Sequence, residues 1–437
     1  MFVIAAISLF ATALDLGELF ADKDAWTVSA VDFTVEHQEA GFKFASQKRD
    51  AAVAMRPGAC AWYGTPLWET RVYFGEAGVR GVEMSVFNRG DAERGESAME
   101  KREWSLADVE EFALAVNTRL APDAKRLPAA EKRELRGGGW QLRREWEKAE
   151  TPAQLVWGVS GRSLNGGRVE FVRLKLLPPA AKKPKGAAGA KARSSGQAAV
   201  KAAKANVKRN DDGDVWIANV PMVDQGRKGY CAAAVAERVL RYYEREVDEH
   251  EIAQQAQTSA AQGTSVTEMK SAVRAIASKE HLGYSEIVTM IADIGDIEKE
   301  IRKYNEAAKA LKEPSRLELA AFTHGNMISV GELRSAMKPK VVKKMRTSDG
   351  RYRKFLTGVK AQIDAGVPVI WGVTLGLYPE PEIPQVSGGH MRIIIGYNAK
   401  THELIYTDSW GAGHELKRMP EDWAFAITHD AFYLKPL

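Results

Sequence analysis

The sequence predicts an α+β protein built from two parts, and three observations support this fold class. Short β-rich runs alternate with helical patterns along residues 25–177. A basic stretch of small residues then interrupts the pattern at residues 178–213. From residue 214 onward, a long apolar helical pattern is followed by buried strand patterns near the C-terminus. We therefore expect an N-terminal α+β domain over residues 25–177 and a second α+β domain over residues 214–437.

The composition of the 437-residue chain is that of a globular protein, with 45% apolar and 27% charged residues. These values exclude a wholly disordered chain, a collagen-like fibre and a protein with many membrane spans. The two cysteines, Cys60 and Cys231, are too few for a disulfide-stapled scaffold. Nothing in the N-terminal domain has metal-ligand spacing, and we expect no metal or organic cofactor.

The net charge of +5 is concentrated in one segment. Nine basic and no acidic residues lie at positions 180–209, whereas the rest of the chain carries 53 basic and 57 acidic residues. Almost no large apolar side chain occurs there, so the stretch cannot bury enough surface to offset its ordering entropy. This predicts a flexible basic linker over residues 178–213. A nucleic-acid-binding tail is the alternative, but there is no aromatic residue to stack on bases and no second motif, so we expect no nucleic-acid partner.

The N-terminus carries an uncharged apolar run from Phe2 to Leu14. Its 13 residues are too few to cross a bilayer, which takes about 20, so no integral membrane span is expected. The length suits the apolar core of a secretory signal, and Ala11 with Ala13, or Ala21, offers small residues for cleavage. No basic residue precedes the run, which leaves a short buried helix or strand as the alternative. We expect a signal peptide within residues 1–21 and export to the periplasm or beyond; without it the protein is cytoplasmic.

The N-terminal domain contains three β-rich runs and two helical patterns. Its clearest helical pattern ends at Leu120 and begins at Ser105, a typical N-cap residue. Residues 129–136 give a weaker helical pattern that three glycines end. The domain has no recognisable chemical motif. An inhibitory prodomain, a targeting domain and a substrate-binding module all remain open for it.

The first chemical motif is VPMVDQGRKGYC, which ends at Cys231. A loop containing glycines leads into a helical pattern that begins at Cys231 and continues to Tyr243. Unpaired N–H groups and the helix dipole favour a thiolate at such a position, and the thiolate is the reactive form of cysteine. Gln225 lies six residues earlier. Its side-chain N–H, together with the backbone N–H of Cys231, could bind an oxyanion.

The second and third motifs are SGGHMRIIIGY, which contains His390, and ELIYTDSWG, which contains Asp408. An antiparallel pair of strands would bring these residues together, so that Asp408 could accept the imidazole N–H and fix the tautomer of His390. Trp410 could shield this hydrogen bond from water. Each residue alone has an ordinary structural explanation, as a core thiol, a strand-end histidine or a turn residue. Their order and spacing together predict a Cys–His–Asp site.

Two other histidines flank the third motif. His402 lies in the expected hairpin turn at residues 398–402, which favours a surface position. His414 follows Gly411 and Gly413 and could line the cleft as a rival base to His390. Cys60 is not a plausible disulfide partner of Cys231, because pairing would consume the nucleophile.

The patterns Q-G-x-x-G-x-C-A-A-A, G-H-x-x-x-x-x-G-Y and D-S-W-G resemble those of the papain-like cysteine peptidases. The resemblance covers residues 215–437 and implies a papain-like fold with a helical half and an antiparallel β half. It implies Cys231 as the nucleophile and His390 as the general base and acid. Asp408 would orient the histidine, and Gln225 would serve the oxyanion hole.

The sequence departs from papain itself in two ways. Asp408 stands where papain has Asn, and the disulfide-forming Cys and the Trp that flank the papain nucleophile are absent. With Asp in the third position, the sequence more closely resembles the bacterial branch that includes the bacteriocin-leader peptidases of ABC exporters. The HEIA segment at His250 is similar to the small helical subdomain of that branch. No exporter membrane helices or ATPase motif follow, so a stand-alone relative is expected, without implied double-glycine specificity.

The expected activity is hydrolysis of peptide bonds in a peptide or protein substrate through a thioester on Cys231. Transamidation, in which an amine replaces water, uses the same residues and is one alternative. A papain-fold binding module without turnover is another, although the intact Gln, Cys, His and Asp favour an enzyme. The sequence predicts neither the cleavage site nor the oligomeric state.

Overall fold

The computed structural model describes residues 13–92, 102–135, 138–179, 196–226, 229–245, 247, 249–256, 266–291, 293–325, 327–381, 383 and 388–437. The chain divides into two compact units: one comprises residues 1–189, 226–228 and 258–263, and the other comprises residues 190–225, 229–257 and 264–437. Residues 1–12, which hold most of the predicted signal peptide, and residues 180–195 of the predicted linker lie outside the described residues. Within the described ranges, no helix combines the length and the hydropathy that crossing a membrane requires.

The N-terminal unit contains both helices and strands. Its described strands are Leu14–Asp15 (β1), Lys43–Phe44 (β2), Ala51–Ala54 (β3), Cys60–Trp62 (β4), Thr65–Pro66 (β5), Glu69–Gly75 (β6), Gly78–Asn88 (β7), Glu131–Glu134 (β8), Trp140–Trp146 (β9), Ala153–Ser160 (β10) and Arg168–Leu176 (β11). Its described α-helices are Leu16–Leu19 (α1), Ala30–Glu36 (α2), Arg89–Ala92 (α3) and Leu106–Leu120 (α4).

Eight of these strands form an antiparallel sheet in the order β2–β3–β6–β7–β11–β10–β9–β8. Val82 and Leu174 of the sheet share one hydrophobic core with Phe112 of α4. Ser105 caps α4 as the sequence predicts: its hydroxyl accepts from the N–H of Asp108, whose carboxylate accepts from the N–H of Ser105. The sheet and α4 therefore give this unit a core of its own.

The predicted helix at residues 129–136 is wrong. Glu131–Glu134 instead forms β8 at the edge of the sheet, antiparallel to β9. Glu131 lies opposite Arg143, and their charged side chains approach to 2.5 Å. A strand made only of charged residues has no apolar alternation, so its place in the sheet comes from cross-strand pairing that the local sequence does not reveal.

The folded unit also begins earlier than residue 25. β1 pairs in parallel with β4, and the side chains of Leu16 and Phe20 lie in the core at 0% and 2% exposure. Signal cleavage after Ala21 would remove both of these core residues, whereas cleavage near residues 11–13 would retain them. Export itself remains a prediction.

The C-terminal unit alternates helices and strands. Its described helices are Gly196–Ala205 (α5), Cys231–Tyr242 (α6), Glu249–Gln255 (α7), Val266–Lys279 (α8), Ile294–Ala310 (α9), Val330–Ala336 (α10), Pro339–Thr347 (α11), Arg351–Asp364 (α12) and Glu421–Ile427 (α13). Its described strands are Val207–Arg209 (β12), Asp214–Ile217 (β13), Leu282–Thr289 (β14), Thr323–His324 (β15), Met327–Ile328 (β16), Val369–Leu375 (β17), Gly388–Asn398 (β18), Glu403–Thr407 (β19), Lys417–Pro420 (β20) and Thr428–Pro436 (β21).

The prediction of a flexible linker as far as residue 213 is wrong from Gly196 onward, because α5 and β12 lie inside that range. β12 pairs with β13, with Lys208 opposite Trp216. Ala203 of α5 is 4% exposed, and Arg209 forms an ion pair with Asp364 at 2.6 Å. The segment therefore obtains its order from contacts with the rest of this unit and needs no large apolar side chains of its own.

One antiparallel sheet organises the C-terminal unit in the order β12–β13–β18–β17–β21–β14, and β19 pairs with both β18 and β20. Alternate residues of its strands face opposite sides. Ile370 and Ile393 share a core with α6, α7 and α8, whereas Val369 and Ile394 share a core with α9 and with α10 to α13. Because β17 and β18 are covered on both faces, their sequences are almost continuously apolar.

Candidate active site

Cys231 is the first residue of α6. The preceding residue, Tyr230, provides no side-chain cap, so the helix dipole and the first-turn N–H groups act on the thiol without a competing cap. The alanine-rich run that follows lets α6 pack closely, and Ala233 and Val235 are fully buried in its core. The start of the helix is thereby fixed where it favours a thiolate.

His390 and Asp408 come together because β18 and β19 are antiparallel. Ile393 lies opposite Thr407, and Asp408 follows β19 directly. The distance between His390 Nε2 and Asp408 Oδ1 is 2.5 Å, and the two side chains are 1% and 0% exposed. A hydrogen bond at Nε2 leaves Nδ1 of His390 as the ring nitrogen available to another partner.

Cys231 is close enough to the ring to perturb it: His390 lowers the pKa of the thiol, and Cys231 raises the pKa of His390. His390 Nδ1 is buried and makes no hydrogen bond within the described part of the chain. The structure thus brings together three of the four residues that the sequence singles out.

The three groups shift one another's ionisation. Burial raises the pKa of the Cys231 thiol, but the nearby His390 ring and its positive charge outweigh it and leave the pKa below its ordinary value. Burial lowers the pKa of His390, but the charge and hydrogen bond of Asp408 raise it to about 9. Burial raises the pKa of Asp408, but His390 and Arg392 hold it well below its usual range. The arrangement therefore shifts the equilibrium toward a thiolate beside an imidazolium.

Gln225 reaches the same region through its backbone. Its N–H donates to the carbonyl oxygen of Ser409 at 2.9 Å, which ties the loop before α6 to the segment after Asp408. The residue is 6% exposed, and its side-chain oxygen is buried without a hydrogen-bond partner among the described residues. Its predicted role in an oxyanion hole stays a prediction.

Arg238, which the sequence motifs do not indicate, lies two turns after Cys231 on α6 and is 1% exposed. Its Nη1 donates to the carbonyl oxygen of Asp408 at 2.7 Å, and its Nη2 donates to Thr407 Oγ1 at 2.6 Å. Its Nε donates to the carbonyl oxygen of Pro221 at 2.7 Å. Arg238 therefore joins the helix that carries Cys231 to the segment that carries Asp408. An arginine on an otherwise apolar helix face was the available signal.

Arg392, which the motifs do not indicate either, is fully buried. Its Nε donates to Asp408 Oδ2 at 2.7 Å, the carboxylate oxygen not used by His390. Its Nη1 pairs with Glu380 at 2.9 Å. An arginine inside the strand HMRIIIG, two residues after His390, was the signal in this case.

The rival residues take no part in the hydrogen bond between His390 and Asp408. The side chain of His402 is 78% exposed, which confirms the predicted surface position. The ring of His414 meets the edge of Trp410 at 5.7 Å between centroids, and burial together with Lys417 lowers its pKa. Cys60 is a free, buried cysteine in β4, and burial raises the pKa of its thiol to about 11. Cys60 thus lacks the environment that activates Cys231.

Comparison with known families identifies the class of protein. A model of the peptidase C39 family matches residues 219–281, and a model described as a peptidase C39 like family matches residues 296–431. The protein is therefore a cysteine peptidase. Both matches lie in the C-terminal region, which is therefore similar to C39 peptidases, as the three sequence motifs predict.

Solved structures with low sequence identity are similar to this chain. The peptidase domain of Streptococcus ComA, a bi-functional ABC transporter involved in a quorum-sensing pathway, has 12% identity and a TM-score of 0.25, and the match covers 50% of this chain and 100% of that one. Xylellain, a cysteine protease from Xylella fastidiosa, has 13% identity and a TM-score of 0.27, with 54% and 89% covered. No protein with a curated description matches the chain.

Proposed function

We propose that the protein hydrolyses peptide bonds through a Cys231–His390–Asp408 triad and a thioester intermediate. The observation that supports this most directly is the buried 2.5 Å bond between His390 and Asp408, with Cys231 close enough to raise the pKa of the same ring. A nucleophile, a base and an orienting acid are the groups that nucleophilic catalysis of this kind requires.

In the proposed acylation step, the Cys231 thiolate attacks the peptide carbonyl carbon and the carbonyl electrons move to its oxygen. The backbone N–H of Cys231 and the side-chain amide of Gln225 donate hydrogen bonds to this oxyanion. When the tetrahedral intermediate collapses, the C–N bond breaks and the His390 imidazolium gives its proton to the departing amine. The acyl group remains on Cys231 as a thioester.

In the deacylation step, neutral His390 removes a proton from water as the water oxygen attacks the thioester carbonyl. The C–S bond then breaks, which releases a carboxylic acid and restores the thiolate beside an imidazolium. Asp408 stays ionised throughout, because its role is to hold the ring and to stabilise its positive charge.

The test combines labelling with cleavage. A thiol-directed epoxide probe should label the wild-type protein at Cys231, and a peptide library should show cleavage at defined bonds. Cys231→Ala should lose both probe labelling and peptide cleavage. Cys60→Ala, the matched control at the other cysteine, should retain both. Undiminished peptide cleavage by Cys231→Ala would show that the proposal is wrong.

The same assay distinguishes hydrolysis from transfer. With an excess of an added amine, mass spectrometry of the products should still find free carboxylates at the cleaved bonds. Products that carry the amine as a new amide in place of the carboxylate would replace hydrolysis by transamidation while leaving the triad in its role.

A further inference from the structure

We propose that Arg392 is a positioning residue for this reaction: it holds the second oxygen of Asp408 and supplies the positive charge that balances Asp408 and Glu380. This inference rests on the proposed triad but concerns a residue outside it. Arg392 touches neither the nucleophile nor the scissile bond in the proposed mechanism. It acts through Asp408.

The geometry follows from the strand pattern. His390 and Arg392 are two residues apart on β18, so their side chains project from the same face of the strand. Asp408 meets both of them, with Oδ1 at 2.5 Å from His390 Nε2 and Oδ2 at 2.7 Å from Arg392 Nε. With both oxygens bound, the carboxylate cannot rotate away from the imidazole without breaking a charged hydrogen bond.

Arg392 is itself held from two other directions. Glu380, whose side chain is 5% exposed, pairs with Arg392 Nη1 at 2.9 Å. The Tyr406 hydroxyl donates to the same glutamate at 2.5 Å, and the guanidinium lies over the Tyr406 ring, 4.7 Å from its centroid. The arginine is therefore fixed in place by the loop before β18 and by β19.

The burial of these charges argues for a role beyond stability. Arg392 and Asp408 are both fully buried, and apolar residues of similar size often replace a buried ion pair without loss of stability. The other neighbours of Arg392 along β18, Met391, Ile393 and Ile394, are buried apolar residues. A charge at this one position balances the carboxylate that orients His390.

The charge of Arg392 has a definite effect on the Cys231–His390 pair. A positive charge near the pair favours the thiolate and opposes further protonation of the imidazole. The charged or titratable groups around Asp408 that bear on this balance are Cys231, Arg238, Glu380, His390, Arg392, Tyr406 and His414. Loss of the Arg392 charge should move thiolate formation to higher pH, and loss of the Glu380 charge should move it to lower pH.

The test measures the alkylation rate of Cys231 by iodoacetamide against pH in the full-length protein, by mass spectrometry of the Cys231 peptide. Because only the thiolate reacts, this curve reports the thiolate fraction without any turnover of substrate. We expect Arg392→Gln to react about tenfold more slowly at acidic pH, the change that one unit in pKa would produce. Arg392→Lys, which keeps the charge, should restore most of the wild-type curve.

Two further variants separate charge from general damage. Glu380→Gln should shift the curve in the opposite direction, toward lower pH. Arg346→Gln breaks another buried ion pair of the same unit, with Glu300 at 2.6 Å, and should leave the curve in place. If Arg392→Gln does not fold, Arg392→Lys and Glu380→Gln still decide the matter.

The outcomes are distinct from those that test the triad. Superimposable curves for wild type, Arg392→Gln and Glu380→Gln would overturn the role of Arg392, even if peptides are cleaved. An equal shift in Arg346→Gln would overturn it as well, because the effect would then be structural. Shifted curves in a protein that cleaves no peptide would support Arg392 while rejecting the proposed hydrolysis.

Discussion

The indole of Trp410 lies flat on the imidazole of His390, with ring centroids 4.3 Å apart and planes only 9° from parallel. The indole covers one face of the ring that Asp408 holds by Nε2. Stacking of this kind limits rotation of the imidazole and keeps water from the hydrogen bond beneath it. Trp410, two positions after Asp408, therefore helps to fix the orientation of the proposed base, His390.

Replacement of Trp410 by alanine should therefore weaken catalysis without abolishing it. A stacked aromatic pair contributes about 0.5–1.5 kcal/mol, which corresponds to a two- to tenfold loss in kcat/KM if the stack orients His390. Trp410→Phe, which keeps an aromatic face, should lose less than Trp410→Ala. Steady-state kinetics on a cleaved peptide provides the measurement, and equal losses in the two variants would show that the stack itself is not what matters.

The pH dependence of activity should reflect His390. The charge and hydrogen bond of Asp408 outweigh burial and raise the pKa of His390 to about 9. Acylation requires the imidazolium to protonate the leaving amine, so kcat/KM should fall as the pH rises through about 9. A profile measured from pH 5 to 10 checks this, and an alkaline limb near the ordinary histidine pKa would contradict it.

Removal of the Asp408 charge should move that limb. Asp408→Asn retains the shape of the side chain but not its negative charge, so the alkaline limb should shift to lower pH. In a Ser–His–Asp triad, loss of the orienting carboxylate lowers kcat on the order of 10⁴-fold; the loss here should be smaller, because papain-like peptidases use Asn in this position. Asp364→Asn, which removes a half-exposed carboxylate paired with Arg209, is the control and should leave the profile unchanged.

The sequence predicted the meeting of Cys231, His390 and Asp408 because each lies at the beginning or end of a locally recognisable element. A helix start and an antiparallel strand pair are properties of short segments, and the chain order then determines how they combine. The position of Trp410 followed from the same local reasoning.

Arg238 and Arg392 were not predicted, because their partners are set by the tertiary structure. Arg238 and Asp408 are 170 residues apart, and Glu380 belongs to a loop with no regular pattern. The helix α5 escaped prediction for the same reason: β12 pairs with β13, and this contact orders a segment whose composition is typical of a linker.

Arg238 should be important for the stability of the region around α6. Its loss removes four hydrogen bonds, three of them buried, and leaves the carbonyl oxygens of Asp408 and Pro221 without this donor. A buried acceptor that is left unsatisfied costs about 1–3 kcal/mol. Hydrogen exchange followed by mass spectrometry on the α6 peptide should therefore show faster opening in Arg238→Met. Arg274→Met removes a half-exposed ion pair with Glu286. It should change the free energy of opening, as measured by hydrogen exchange, by less than about 1 kcal/mol.

A comparison of two glycines tests how tightly the loop after Asp408 must fit. Gly411 and Gly413 both have positive φ, +79° and +90°, so alanine is strained at either position by about 1–2 kcal/mol. A Cβ on Gly411 would lie 2.6 Å from Asp224 Oδ2, whereas a Cβ on Gly413 would meet nothing within 4 Å. Asp224 immediately precedes Gln225, so this clash falls next to the proposed oxyanion residue.

Gly411→Ala should therefore reduce kcat/KM at least about tenfold more than Gly413→Ala, because a shift of about 1 Å in a catalytic group can cost 10²-fold. Both variants carry the same backbone strain, so their difference isolates the contact with Asp224. Kinetics on a cleaved peptide, with thermal unfolding as a check on stability, provides the comparison. Equal activity in the two variants would mean that the loop adjusts to the extra methyl group and that close packing of Gly411 against Asp224 does not position the site.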